Sequence, residues 1–453
     1  MAGRRMIESK KRIYGWWAFD WASQPYNTLL LTFIFAPYIA QVLGDGTRAQ
    51  SLWGYSIGAA GLLIAIAAPI LGKIADQTGR KLPFIWAFSA CYVIGAWGCW
   101  FAAPDGMQIW VVLILFALGL FGMECATIFT NALMPDLAPR AQMGRISGTG
   151  WALGYLGGLV AMILMLGFFS ENAETGRTLF GLSPAFGLDA AAREGTRAVG
   201  PFTALWYVIF MIPFFLWVRE PHRPKPHSGP SLGQTMRQAL PELARSLKSL
   251  RHHPSLLRYL LSSMFYRDAL NGLYAFGGIY AAGVLGWSIT DIGIFGILAI
   301  ISGAVAAWIG GKWDDRFGPY QIIWWSVLCL TGLSLLIPFI GRDSLFGLAL
   351  TEGSNLPSLM FYLIGIGIGA AGGIVQSASR HMMLRQADPA AITEHFGLYA
   401  LAGKATAFLA PFLIAVMTSL TNSQNWGVTP LIMLFLLGLW LLRGVNADPR
   451  QHE

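Results

Sequence analysis

Twelve stretches of this 453-residue chain stay apolar for about the 20 residues an α-helix needs to cross a bilayer. They lie near 14–43, 51–72, 82–103, 109–134, 146–169 and 200–218, then near 256–285, 287–310, 320–341, 357–385, 395–419 and 427–443. In hydrocarbon every backbone N–H and C=O must find its partner within the protein, so runs of this length predict an all-α integral membrane protein. Charged residues make up only 12% of the chain against roughly 25% in soluble domains, which excludes an ordinary soluble enzyme. The twelve runs divide six and six around a polar, Pro-rich stretch. The expected organisation is a first six-helix half over 1–218, a cytoplasmic linker ending in a short amphipathic helix over 219–255, and a second six-helix half over 256–453.

A net charge of +8 suggests nucleic acid at first sight, but too little polar surface exists to build such an interface. The charge has a different pattern. Most of the 31 Lys and Arg fall in the N-terminal tail, the central loop and alternate short loops, so the positive-inside rule places both termini and the linker in the cytoplasm of an inner membrane. The basic N-terminus precedes an apolar run too long for a signal-peptide core and interrupted by Asp20, and is expected to be retained. Cys91, Cys99, Cys125 and Cys329 all sit inside apolar runs without metal-ligand spacing, and no nucleotide-cradling motif occurs. Neither a metal nor a cofactor is expected.

The halves echo each other. After the second run comes GKIADQTGRK, with Gly72, Asp76, Gly79, Arg80 and Lys81; after the eighth comes GKWDDRFGPY, with Gly311, Asp315 and Gly318. Both read G-K-x-x-D-x-x-G at matching places, the layout of a repeat-built secondary transporter. Short Gly/Asp segments at helix ends are expected to act as gating loops, the aspartates accepting from helix N-termini or from Arg80 and Arg316.

The first of these segments resembles the signature loop of the major facilitator superfamily. FDWASQPY at 19–26, GRISGTGWALGYLGG at 144–158, FYRDALNGLYAFGGIYAAG at 265–283, QSASR at 376–380 and FGLYALAGKA at 396–405 resemble the bacterial branch of the vacuole effluxer family, named for an autophagy-linked amino-acid exporter. The resemblance implies the major facilitator fold, with the first, fourth, seventh and tenth helices facing a central cavity, and efflux as the activity.

An ionisable side chain at a helix centre costs about 2.5–3.5 kcal/mol on insertion scales, so each one in a spanning run needs a partner, a cavity or a function. Asp20, Ser23, Gln24 and Asn27 form one helical stripe; Glu124, Thr127 and Asn131 form another, followed by Asp268 with Asn271 and by Gln376 with Ser379 and Arg380. These stripes fall on the first, fourth, seventh and tenth helices. The candidate substrate and ion residues are therefore Asp20, Gln24, Asn27, Glu124, Asn131, Arg267, Asp268, Asn271, Gln376, Arg380 and Lys404. Plainer roles compete: Asp20 can cap its helix, and Arg380 and Lys404 can snorkel to the interface. Arg267 and Asp268 point about 100° apart on a helix, so Arg267 is expected to find a carboxylate elsewhere, Glu124 or Asp20, or an anionic substrate group.

The expected function is secondary active efflux of a small polar or zwitterionic solute such as an amino acid, by alternating access, with a buried carboxylate able to carry a coupling proton or another ion in its place. The expected partners are that substrate, the coupling ion and the lipid bilayer, with no nucleic acid. Alternatives left open are a cation-coupled sugar transporter using Trp16, Trp17, Trp21 and Trp151 as stacking surfaces, a lipid flippase, and a non-transporting membrane assembly factor on the same fold.

Overall fold

The computed structural model describes residues 2–43, 46–220, 239–287, 289–351 and 354–448. The linker stretch 221–238 lies outside them. Among the described residues eleven helices are long and apolar enough to cross a membrane: Lys10–Leu43, Leu52–Thr78, Leu82–Phe101, Ile109–Asp136, Arg140–Phe169 and Glu194–Trp217, then Asp291–Phe317, Pro319–Phe339, Leu356–Gln386, Ile392–Thr421 and Gln424–Leu442. The remaining expected run forms a helix, Pro254–Gly283, of 30 residues. At 1.5 Å per residue it is about 45 Å long and ample to span, but Ser262, Ser263, Arg267, Asp268 and Asn271 dilute its apolar character. These twelve are numbered first to twelfth below. One two-stranded hairpin, Ser344–Leu345 with Leu348–Ala349, decorates the ninth-to-tenth loop.

Contacts divide the chain into two compact units, Met1–Ala138 with Leu153–Met236, and Pro139–Ala152 with Arg237–Glu453. The boundary near 236 lies within the expected linker. The fifth helix is shared, because its opening turns cluster with the second unit although they precede the linker. The amphipathic helix expected after the linker is present as Ala239–Ser249, where the Ser246 hydroxyl donates to Glu394.

In the first unit glycines decide how closely helices approach. A methyl at Gly95 would strike the backbone of Gly119, and one at Gly122 would come within 2.6 Å of the Phe88 carbonyl, so the third and fourth helices meet backbone to backbone. Aromatic rings fill the remaining core: Tyr26, Tyr92 and Tyr207 are fully buried in a row, with ring centroids 5.0 and 3.9 Å apart. Each hydroxyl is satisfied, Tyr26 by donating to the Phe116 carbonyl at 2.6 Å and Tyr207 by sharing a bond with Ser89 at 2.8 Å. The first helix is not α-helical throughout. Tyr26–Phe33 widens into a π-helix, with Ile34 N–H reaching back to the Leu29 carbonyl at 3.0 Å.

The second unit uses the same devices. Gly369 and Gly373 of the tenth helix lie against the backbone of Ala299 and Gly303 on the eighth, and Ser302 donates across that seam to the Ile366 carbonyl at 2.9 Å. Seventh and twelfth helices close where Ser262 donates to the Gly438 carbonyl at 2.7 Å. The eleventh helix is broken. Ile392–Ala405 ends, residues 406–408 turn, and Leu409–Thr421 resumes.

Candidate transport site

The first unit presents its polar residues on half-open helix faces. Asp20, Gln24 and Asn27 are half-buried while Ala22, Ser23, Pro25, Tyr26 and Thr28 are buried, so the stripe is the reachable side of the first helix at that level. One edge of it packs on the glycine face of the fifth helix: a methyl at Gly158 would lie 3.1 Å from Gln24 Cγ, and one at Gly157 would lie 2.6 Å from the Trp21 carbonyl. Asn27 sits inside the π-turn and donates weakly to Met123 Sδ at 3.8 Å. On the fourth helix Glu124, Thr127 and Asn131 are likewise half-buried among buried neighbours. Thr127 spends its hydroxyl on its own helix, donating to the Met123 carbonyl at 2.8 Å.

The seventh helix is arranged differently from the sequence expectation. Asn271 is exposed and shares its face with half-buried Arg267 four residues earlier, while Asp268 is turned inward and only 3% exposed. Asp268 and Asn271 therefore do not act on one face. The Arg267 guanidinium lies over the Tyr399 ring at 4.2 Å and donates to the Tyr399 carbonyl at 3.4 Å, a cation–π contact with its neighbour on the eleventh helix.

Asp268 meets the break in the eleventh helix. Its Oδ2 accepts from Ala410 N–H at 3.0 Å, one of the donors left over where the helix restarts. The half-helix N-terminus carries partial positive charge, which favours the carboxylate there. The other oxygen, Oδ1, is buried without a hydrogen-bond partner among the described residues, and so is the hydroxyl of Thr406 inside the break. A buried carboxylate oxygen with nothing to accept from is costly unless a proton or ligand visits it. Lys404 is half-buried at the end of the half-helix preceding the break.

On the tenth helix Gln376 is half-buried, whereas Ser379 and Arg380 are buried. Tyr259 donates to the Ser379 carbonyl at 2.6 Å, Tyr266 shares a 2.7 Å bond with its hydroxyl, and Arg380 lies over the Trp151 ring at 5.3 Å. Arg380 is thus packed within the unit rather than snorkelling. Trp16, an expected stacking ring, is 1% exposed and donates to the Thr130 carbonyl at 2.8 Å, and Trp21 stacks on Trp206 at 5.8 Å.

The paired motifs are mostly helix rather than loop. Gly72 and Asp76 fall in the last turns of the helix Gly46–Thr78, and Gly311 and Asp315 in those of Ile289–Phe317; only Gly79, Arg80 and Lys81 on one side and Gly318 on the other lie in the turn. Helical spacing of four puts Gly72 above Asp76 and Gly311 above Asp315. Gly79 and Gly318 adopt φ of 67° and 83°, a conformation that glycine reaches without a Cβ clash. Lys81 is buried, and its backbone N–H donates to Glu220.

Gly311 makes the closest approach. A methyl there would lie 2.7 Å from the Gly144 carbonyl and 3.0 Å from Gly148 Cα, so the opening turns of the fifth helix touch the eighth by backbone alone. Asp315 Oδ1 then accepts from Arg145 N–H at 3.1 Å in the first turn of that helix, and Ser147 donates to the Ser377 carbonyl at 2.8 Å. Beside this seam lies a buried cluster absent from the sequence-derived set. His381 Nδ1 is 2.9 Å from both oxygens of Asp314, and Arg385 Nε is 3.2 Å from His381 Nε2. An arginine N–H only donates, so Nε2 is assigned as acceptor and Nδ1 carries the proton toward Asp314. The imidazole is held in one neutral tautomer. No sequence motif links Asp314 to His381, but the small-residue spacing of Gly144 and Gly148 is a legible packing signal.

The profile of the family described as "Vacuole effluxer Atg22 like" matches residues 39–453. An uncharacterized MFS-type transporter, YxiO of Bacillus subtilis, is 24% identical over 97% of this chain and 95% of its own. Multidrug resistance protein MdtG of Dickeya zeae is 26% identical over 79% of this chain and 80% of its own. Among solved structures, the human organic anion transporter MFSD10 superposes with a TM-score of 0.68 over 96% of this chain and 99% of that one at 16% identity, a likeness of fold.

Proposed function

This chain belongs to the vacuole effluxer family of the major facilitator superfamily, whose members are secondary transporters rather than enzymes, and on that premise we propose that it exports a small polar or zwitterionic solute, an amino acid foremost, in exchange for protons. One observation carries the coupling: Asp268 is buried at a helix break with one oxygen anchored by Ala410 and the other unpartnered. Deprotonated, it caps the restarting half-helix; protonated, it keeps little of that charge interaction, so proton occupancy and the bend of the eleventh helix move together. The fourth helix carries a carboxylate and an amide in Glu124 and Asn131, and the seventh carries a guanidinium and an amide in Arg267 and Asn271, the kinds of group a zwitterion's ends would meet. The burial of Trp16 leaves the sugar reading without one of its four rings.

A carboxylate that carries the coupling proton is needed for uphill movement and dispensable for exchange, since exchange proceeds with its charge permanently neutral. In proteoliposomes Asp268→Asn should abolish gradient-driven accumulation of an amino acid while counterflow persists, with Glu124→Gln as the second candidate. Wild-type accumulation by both variants would sink proton coupling at these acids.

We also propose that both termini are cytoplasmic in an inner membrane and that the paired motif segments gate that side, Asp315 by holding Arg145 N–H. A reporter fused within 171–198 should then read the side opposite to one fused at the C-terminus; the same side for both would overturn the orientation.

A further inference from the structure

A cavity of about 480 Å³ opens in the first unit where the third helix ends beside the sixth. Its volume falls within the roughly 300–1,000 Å³ typical of small-molecule sites. Its lining is aromatic and aliphatic throughout: Trp97 and Trp100 form one wall, and Ala198, Phe202, Leu205 and Ile209 form a helical stripe opposite. Leu205 and Ile209 are 51% and 55% exposed on a membrane-spanning helix, so the cavity opens sideways into hydrocarbon. At its rim Phe186 sits at φ 60°, a left-handed conformation that costs a phenylalanine about 1–2 kcal/mol, yet its ring is 92% exposed.

The same rim carries a placed cation. Arg197 donates through Nε to the Trp100 carbonyl at 2.9 Å and through Nη1 to the Ala192 carbonyl at 3.3 Å, with its guanidinium 4.9 Å from the Trp100 ring. Nη2 has no partner. The neighbouring Arg193 is neutralised by Glu171 at 2.8 Å, and Glu171 is further occupied by the Thr196 hydroxyl at 2.7 Å and backbone, so that carboxylate is not available to Arg197. An apolar slot open to the bilayer with an arginine fork at its mouth matches an amphiphile whose tail is hydrocarbon and whose head is an anionic oxygen group. We propose that this groove binds one glycerophospholipid from the adjacent leaflet, its acyl chain lying between the third and sixth helices and its phosphate on Arg197.

The test uses the full-length protein and phosphatidylglycerol. Native mass spectrometry of the detergent-purified chain titrated with this lipid should show one tightly retained molecule, and Arg197→Gln should weaken that binding roughly tenfold, the effect of losing one charge-assisted contact. Should Arg197→Gln fold poorly, the wild type suffices. Reconstituted with brominated-chain phosphatidylglycerol and then moved into unbrominated lipid, it should keep a slowly recovering fraction of quenched tryptophan fluorescence, and a Trp97→Phe, Trp100→Phe variant should lose most of that fraction. Equal retention by wild type and Arg197→Gln overturns the proposal. So does immediate recovery of fluorescence, or a dimer that shields these tryptophans in place of lipid.

Discussion

The two G-K-x-x-D-x-x-G segments both end a helix at a glycine of positive φ, and differ in the connection that follows and in what lies beneath it. In the first, the residue before the motif aspartate is Ala75, a buried methyl; in the second it is Asp314, a carboxylate 1% exposed against His381. Both segments end in a left-handed glycine. The two segments thus share a helix end and differ in the connection and in the buried charge beside it. A shared motif here reports a shared helix end, and the charge network has to be found in space.

Exchanging the two buried positions should give the largest effects. His381→Leu strands the Asp314 charge, and Ala75→Asp creates an equally unpartnered carboxylate; each should cost about 3–5 kcal/mol and lower the midpoint of thermal unfolding sharply. If Ala75→Asp unfolds at the wild-type temperature, the first segment holds an unseen partner and the contrast fails. Asp314→Ala, which makes the second segment like the first, removes the charge and leaves only the His381 N–H without an acceptor, so a loss of about 1–3 kcal/mol is expected. Unfolding scans of His381→Leu and Asp314→Ala side by side give the order directly, and the reverse order would show that the imidazole carries charge. The smallest effect belongs to Asp315→Asn, whose amide oxygen still accepts from Arg145 N–H. Stability should change by less than about 1 kcal/mol while turnover changes, because only the charge at the helix start is lost. Unaltered turnover would remove the gating role.

The sequence carried the fold because hydrocarbon leaves a chain few options: the apolar runs that form the spanning helices follow from local composition. It also placed polar stripes on four helices, and those on the first and fourth are half-buried between buried neighbours. On the seventh helix spacing was insufficient. Asp268 and Asn271 satisfy the i, i+3 rule, yet only contact with Ala410, far along the chain, shows that Asp268 turns inward. The π-turn at Tyr26–Phe33 and the break after Ala405 did carry a local signal. Pro25 directly precedes the first and Pro411 stands in the first turn after the second, and a proline both removes an N–H from the helix ladder and crowds the carbonyl four residues back. Asp314 and His381 are 67 positions apart and carry no motif, and their pairing is a property of two helices side by side.

The eleventh helix consists of two rods of 14 and 13 residues joined by a three-residue hinge, whereas the tenth runs 31 residues without interruption. These two helices therefore tolerate inherited length changes differently. One residue gained in the tenth helix rotates everything beyond it by about 100°, taking Arg380, His381 and Arg385 off their partners together. One residue gained at 406–408 is absorbed where the backbone has already left its helical path. Among descendants of this chain, insertions and deletions should collect at the joint beside Asp268 and be purged from the rod that carries His381.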